Sequence, residues 1–375
     1  MSQTGDVDAH ILRLPVEIVG SVAKKLERNC LANFRLTCQY FAHSSTRLLE
    51  KYFRKKTLLL AHATSMQALV DISQHATFKR SLKHIHLSLY VQNKHACSLE
   101  PTSEYDEDVQ SVVASRKLGG EHKKYLASLN WRRPLLTALR SISKVPAGQD
   151  ITLTVGDAYS PHDGSFCGQR TAERQLGAWF SFGVPSSISA LWSSILQTLL
   201  HARCPIAALN IGSEHFPVNL HELDHGSIYT DEDFNAVFGG MQHLQFYSKD
   251  VKVEKDANPL PHSQCFLDKL LTVPSIESLD VQTDIETIHR RASSYLHAVM
   301  ARVHLPRLRE LDLLADSFEE NAMIDFIRRH KSTLQRVSFW IYWLDPGEAD
   351  DREAPYLQAV PGVAVEFYSP DGRVS

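Results

Sequence analysis

The hexad Ile206-Ala207-Ala208-Leu209-Asn210-Ile211 recurs along the chain as Met241-Gln242-His243-Leu244-Gln245-Phe246 and Ile276-Glu277-Ser278-Leu279-Asp280-Val281. Two more copies follow, Leu308-Arg309-Glu310-Leu311-Asp312-Leu313 and Leu334-Gln335-Arg336-Val337-Ser338-Phe339. Each has apolar residues at its first, fourth and sixth positions. The last two alternate as they do when one face of a strand is buried. One such triplet arises by chance in an apolar chain. Five in order are different: their central residues, 209, 244, 279, 311 and 337, are separated by 35, 35, 32 and 26 positions. Near-even self-similarity of this kind marks a repeating structural unit.

Helical periodicity fills the gaps. Leu191, Ile195, Leu196, Leu199 and Leu200 precede the strand at 206, and Phe266, Leu267, Leu270 and Leu271 precede that at 276. Tyr295 to Val303 and Met323 to Ile327 do the same before 308 and 334. The layout is similar to a leucine-rich-repeat solenoid, in which each unit buries its apolar face on its neighbour. The ninth motif position, ordinarily Asn or Cys, holds Glu214, Lys249, Asp284, Asp316 and Tyr342, so the solenoid is expected to be irregular. The fold class read from this is α/β with a parallel sheet, Leu209, Leu244, Leu279, Leu311 and Val337 forming successive layers of one core. An earlier triplet, Leu82-Ile85-Leu87, and the alternating Ile151-Leu153-Val155 also read as strands.

Composition sets the surroundings. The chain has 375 residues, 43% hydrophobic and 22% charged, enough for a large core and for two or three domains of roughly 150 residues. Forty Lys and Arg against 43 Asp and Glu give a net charge of −3, which favours neither nucleic acid nor a membrane surface as partner. No apolar run reaches the roughly 18 residues of a membrane span, and the first ten residues lack a signal-peptide pattern. Six scattered cysteines without a CxxC pair suit a reducing compartment, cytoplasm and/or nucleus.

The first 60 residues are a separate, basic unit, with ten Lys and Arg against five acids. Pro15 stands where a helix begins and Glu17 falls in its first turn. Ile18, Val22 and Leu26 then recur at i, i+4 and i+8 beside Val19 and Ala23. Asn29 is placed to cap a second helix carrying Leu31, Phe34, Cys38 and Phe41. Leu48, Leu49, Tyr52 and Phe53 make a third. Three short helices in about 45 residues cannot bury all this apolar surface by themselves, so part of it is expected to meet another protein or the rest of the chain. The Arg54-Lys55-Lys56 cluster reads as a basic rim around packed apolar residues.

Between these units the pattern is weaker. Tyr125 to Ile142 reads as helix broken near Pro134, and Gly156–Gly168 as a long turn-rich loop projecting from the array. His84 and His86 point together to one face of their strand and read as surface histidines. Trp340, Tyr342 and Trp343 read as either a contact surface or a closing cap at the last repeat, and residues 370–375 as a polar tail.

One catalytic signature is present. His221-Glu222-Leu223-Asp224-His225 matches H-E-x-x-H, in which two His one helical turn apart hold Zn²⁺ and the Glu serves as general base. The charged Asp224 inside it, Gly226-Ser227 directly after it, and Ile228 where a metzincin has Gly all argue that the match is coincidental. No cofactor motif is found: G-x-S-x-G, the P-loop and G-x-G-x-x-G are all absent.

Leu14-Pro15-Val16-Glu17-Ile18-Val19, with Leu26, Leu31 and Phe34-Arg35-Leu36-Thr37-Cys38, resembles an F-box, whose pattern is L-P-x-E-[IL]-[ILV] followed by x-L-x-x-[LF]-R-L-[VT]-C. Gln39 stands where the family has Lys or Arg, and Tyr40-Phe41 replaces its late Trp. The resemblance implies a short three-helix F-box domain over 10–55, followed by the irregular leucine-rich-repeat-like domain over 57–369. It further implies a non-catalytic substrate adaptor of a Skp–cullin–F-box ubiquitin ligase. The Skp adaptor would be bound through Leu14, Pro15, Glu17, Ile18, Val19, Val22, Leu26, Leu31 and Phe34, cullin through that adaptor, and an unknown protein substrate by the repeats. Two alternatives stand beside it: a leucine-rich-repeat scaffold unrelated to ubiquitin transfer, and a zinc peptidase built on His221, Glu222 and His225.

Overall fold

The computed structural model describes residues 14–92, 106–145, 150–156, 167, 182–183, 189–213, 216, 218, 229–248, 266–283, 301–314, 320–340, 362–369 and 372–373. The chain is a mixed α/β protein built on one long sheet. Its strands are β1 (Lys55–Leu59), β2 (His84–Ser88), β3 (Val91–Gln92), β4 (Thr152–Gly156), β5 (Phe182–Gly183) and β6 (Ala208–Ile211). They continue with β7 (His243–Ser248), β8 (Ser278–Thr283), β9 (Glu310–Leu314), β10 (Arg336–Trp340), β11 (Ala364–Ser369) and β12 (Gly372–Arg373). The sheet order is β1-β2-β4-β6-β7-β8-β9-β10-β11-β12, with β3 and β5 forming a separate antiparallel pair. Among the described residues nine strands run parallel in chain order, and β12 closes the edge antiparallel to β11.

Parallel pairing needs a crossover that returns the chain to the same end of the sheet, and helices supply it. Ala63–Gln74 and Ala76–Ser81 link β1 to β2, Asp106–Ala127 and Arg132–Ile142 lie between β3 and β4, and Ser189–Ala202 leads into β6. Asp231–Phe238, Phe266–Leu270 and Glu320–His330 lead into β7, β8 and β10. Most of the helix expected over Tyr295–Val303 lies outside the described residues. Ala63–Gln74 packs on Arg132–Ile142, which packs on Ser189–Ala202, so the helices form a second layer in the same order as the strands.

Register makes the core continuous. Leu209 pairs with Leu244, Leu244 with Leu279, Leu279 with Leu311 and Leu311 with Val337. All five are buried, as the hexads predict. The ladder extends beyond them, through Leu153 and Ile85 on one side and to Val365 on the other. A second apolar ladder runs Leu58, Leu87, Val155, Ile211, Phe246, Val281, Leu313 and Phe339. Burying each Leu is worth about 2 kcal/mol, and a side chain here has neighbours above and below.

The intervening residues turn to the opposite face as a polar ladder: Thr57, His86, Thr154, Asn210, Gln245, Asp280, Asp312, Ser338 and Glu366. His84 and His86 are not the surface residues the sequence suggests. His86 is buried, and the half-buried His84 places Nε2 2.8 Å from Thr154 Oγ1.

Other expectations are corrected. Pro134 does not break a helix: it lies in the first turn of Arg132–Ile142, where the missing N–H costs nothing, and the break is the turn at Leu129 with φ 56°. Of the projecting loop, Cys167 returns to the sheet, donating its N–H to Thr57 O at 2.9 Å along the open edge of β1. Trp340 does not end the array, because β11 pairs beyond it and sets Trp340 against Tyr368. Within the expected tail, Gly372 and Arg373 are β12.

Candidate functional site

The N-terminal unit holds four helices rather than three: α1 (Val16–Lys25), α2 (Arg28–Thr37), α3 (Gln39–Ser44) and α4 (Thr46–Phe53). Cys38 is the cause. Its extended backbone, φ −161° and ψ 162°, ends α2 and starts α3, so this half-buried thiol stands at a break and not on a helix face. Pro15 occupies the cap position of α1, whereas Asn29 lies inside the first turn of α2, where Glu27 holds the cap position.

The unit has a small core of its own. Val19, Ala23, Leu31 and Phe41 are buried, and the Phe34 ring stacks on Phe41 with centroids 4.2 Å apart. Arg35 ties the helices together, donating from Nη1 to Ala42 O and to Thr46 Oγ1. Burial lowers its pKa. Tyr40 donates its hydroxyl to Leu14 O at 2.6 Å, which fixes the chain as it enters α1.

Turned away from that core is an apolar face. Among the described residues the exposed large hydrophobics are Leu14, Val16, Ile18, Val22 and Leu36, every one on this unit. Ile18 is 48% exposed, Val22 46% and Leu36 85%. Ile18 and Val22 are four residues apart and follow one side of α1, and Leu14 precedes the helix. Scattered exposed apolar residues are ordinary, but a concentration on one small unit is the pattern of a candidate interaction surface.

The nine residues singled out from the sequence therefore divide. Leu14, Pro15, Glu17, Ile18 and Val22 are exposed, Leu26 and Phe34 are half-buried, and Val19 and Leu31 point into the unit's own core. Val16 and Leu36 were not anticipated. The signal for Leu36 was its neighbour: once Arg35 bonds inward across α3 and α4, the next residue faces out.

His221, Glu222 and His225 lie outside the described residues. Among the described residues no group of three His, Cys, Asp or Glu side chains is placed to hold a metal ion. Cys204 is buried, with its thiol pushed up to about 12, which suits a packing residue and not a nucleophile. No described helix is long and apolar enough to cross a membrane. Neither a protein-family model nor a curated protein sequence matches the chain.

Proposed function

We propose that the chain is the substrate-receptor subunit of a Skp–cullin–F-box ubiquitin ligase, working in the cytoplasm and/or nucleus. On this reading residues 10–55 are the F-box and 57–369 an irregular leucine-rich-repeat solenoid. The observation that carries it is the concentration of exposed apolar side chains on α1, α2 and the residues leading into α1, at positions that overlap the motif residues Leu14, Ile18 and Val22. Supporting the second half is the register of Leu209, Leu244, Leu279, Leu311 and Val337 in one parallel ladder.

The chain does no bond-making itself in this role. The apolar face docks the Skp adaptor, cullin is held through that adaptor, and the repeats hold a protein target. Transfer of ubiquitin between two proteins then becomes nearly intramolecular, with the gain coming from effective concentration and orientation. The stack of Phe53 on Phe78, centroids 3.9 Å apart, suits such a bridge because it joins α4 to the helix ahead of β2. The test is reconstitution from purified components. The full chain and a Skp adaptor should co-elute as a stoichiometric complex at micromolar concentration, and the complex should recruit cullin. Separate elution would contradict the proposal.

A further inference from the structure

A half-open groove of about 740 Å³ runs between α4 and the helix Ala76–Ser81. Arg47, Lys51 and Arg54 line one wall, Arg80 and Lys83 the other, and the single carboxylate among them is Glu50. Arg47, Lys51 and Arg54 recur at i, i+4 and i+7, so all three lie along one side of α4. Arg47, Arg54 and Arg80 are exposed, and among the described residues no carboxylate pairs with them.

The walls are held at a set separation. Lys83 N–H and His84 N–H both donate to Arg54 O at 2.8 Å, and Phe53, the residue before Arg54, stacks on Phe78 of the facing helix. Like charges so placed repel one another, and an anion between them relieves that cost without rearrangement of the backbone. Guanidinium groups match phosphate in fork geometry, and Thr77 and Ser81 add hydroxyls to the lining.

We infer that this groove binds a ligand bearing clustered phosphate groups, carried either by a phosphorylated protein segment or by a free polyphosphorylated small molecule. Nucleic acid is a poor fit. Among the described residues no aromatic side chain lines the groove to stack on a base, and the whole chain is net acidic. The inference does not rest on the ubiquitin-ligase reading: the groove lies where the N-terminal helices meet the start of the sheet, and it shares no residue with the exposed apolar side chains.

The test is calorimetric titration of the full chain with tripolyphosphate and, separately, with a doubly phosphorylated serine peptide and its unphosphorylated form, at fixed ionic strength. Saturable one-site binding of at least one phosphorylated probe is expected. It should weaken at least tenfold in the Arg54→Glu/Arg80→Glu variant and persist in Lys331→Glu, a charge reversal far along the chain. Arg54→Gln/Arg80→Gln, with an unchanged thermal midpoint, separates loss of charge from loss of fold. Tighter binding of the peptide assigns the phosphate to a protein, and tighter binding of tripolyphosphate to a free ligand. Absence of saturable binding to either probe, binding indifferent to the groove variants, or equal affinity for single-stranded DNA would overturn the inference.

Discussion

Asp280 on β8 and Asp312 on β9 are paired in register, so two carboxylates stand side by side on the polar face of the sheet. Asp280 is caged by its neighbours: Gln245 donates to Oδ2 at 2.7 Å and Gln282 to both oxygens at 3.2 Å. Burial first, and then the charge of Asp312, push the Asp280 carboxyl up to about 7, against the pull of the two glutamine hydrogen bonds.

That shift has a definite sign. The folded value lies above the unfolded one, so the stability tied to protonated Asp280 is complete below about 4 and lost as pH rises through 7. Asp280→Asn removes the charge and should stabilise the protein relative to wild type at pH 8, by about 1–3 kcal/mol, and much less at pH 5. Denaturant unfolding at the two pH values measures it. An equal difference at both would mean that Asp280 is ionised throughout.

His330 behaves in the opposite sense. Its Nε2 accepts from Leu305 N–H at 2.9 Å and its Nδ1 lies 2.8 Å from Phe326 O, which fixes a neutral ring with the proton on Nδ1. Burial leads the lowering of its pKa, with the Phe326 hydrogen bond opposing and His304 and Arg329 adding to it. Its contribution is therefore complete above 6.5 and lost as pH falls through the lowered folded value. His330→Ala should cost about 1–3 kcal/mol at pH 7.5 by orphaning a buried N–H, and the cost should shrink at pH 5.

Gly212 has φ 89°, and a Cβ there would stand 2.5 Å from Tyr247 O. Gly212→Ala should cost about 1–3 kcal/mol, because both the backbone and β7 must yield. A thermal midpoint matching wild type would show that the neighbouring strand moves freely.

Leu279, fully buried between Leu244 and Leu311, tests the ladder directly. Leu279→Ala should cost about 2–5 kcal/mol. Hydrogen exchange should rise in β7, β8 and β9 while α1 to α4 keep their protection, since stacked units couple to nearest neighbours. Uniform loss of protection over the whole chain would contradict local coupling.

The ladder was legible because a buried parallel strand leaves an apolar triplet at each pass, from Leu209 to Val337. Strand β1 was not. The first of its core-facing positions is Lys56, buried with its ammonium 4.5 Å from the centre of the Phe53 ring. Strand β11 lies beyond the last hexad, so no later copy gave it a period. The Arg54-Lys55-Lys56 cluster looked like one patch, but the fold sends Arg54 to the groove, Lys55 to the exposed edge strand and Lys56 to the core. Arg80 and Lys83 meet Arg54 only in three dimensions. On α1 the apolar stripe was visible, yet periodicity alone could not tell Val19, which faces in, from Ile18, which faces out.

That last contrast gives the most direct measurement of the proposed function, the affinity of Ile18→Lys for a purified Skp adaptor. Ile18 is exposed, so the variant should keep the wild-type thermal midpoint, whereas Val19→Lys should unfold the N-terminal helices. In the complex the new ammonium would be desolvated without a partner, and binding should weaken by about 2 kcal/mol or more, roughly 30-fold. Folded Ile18→Lys protein that binds the adaptor as tightly as wild type would contradict the account.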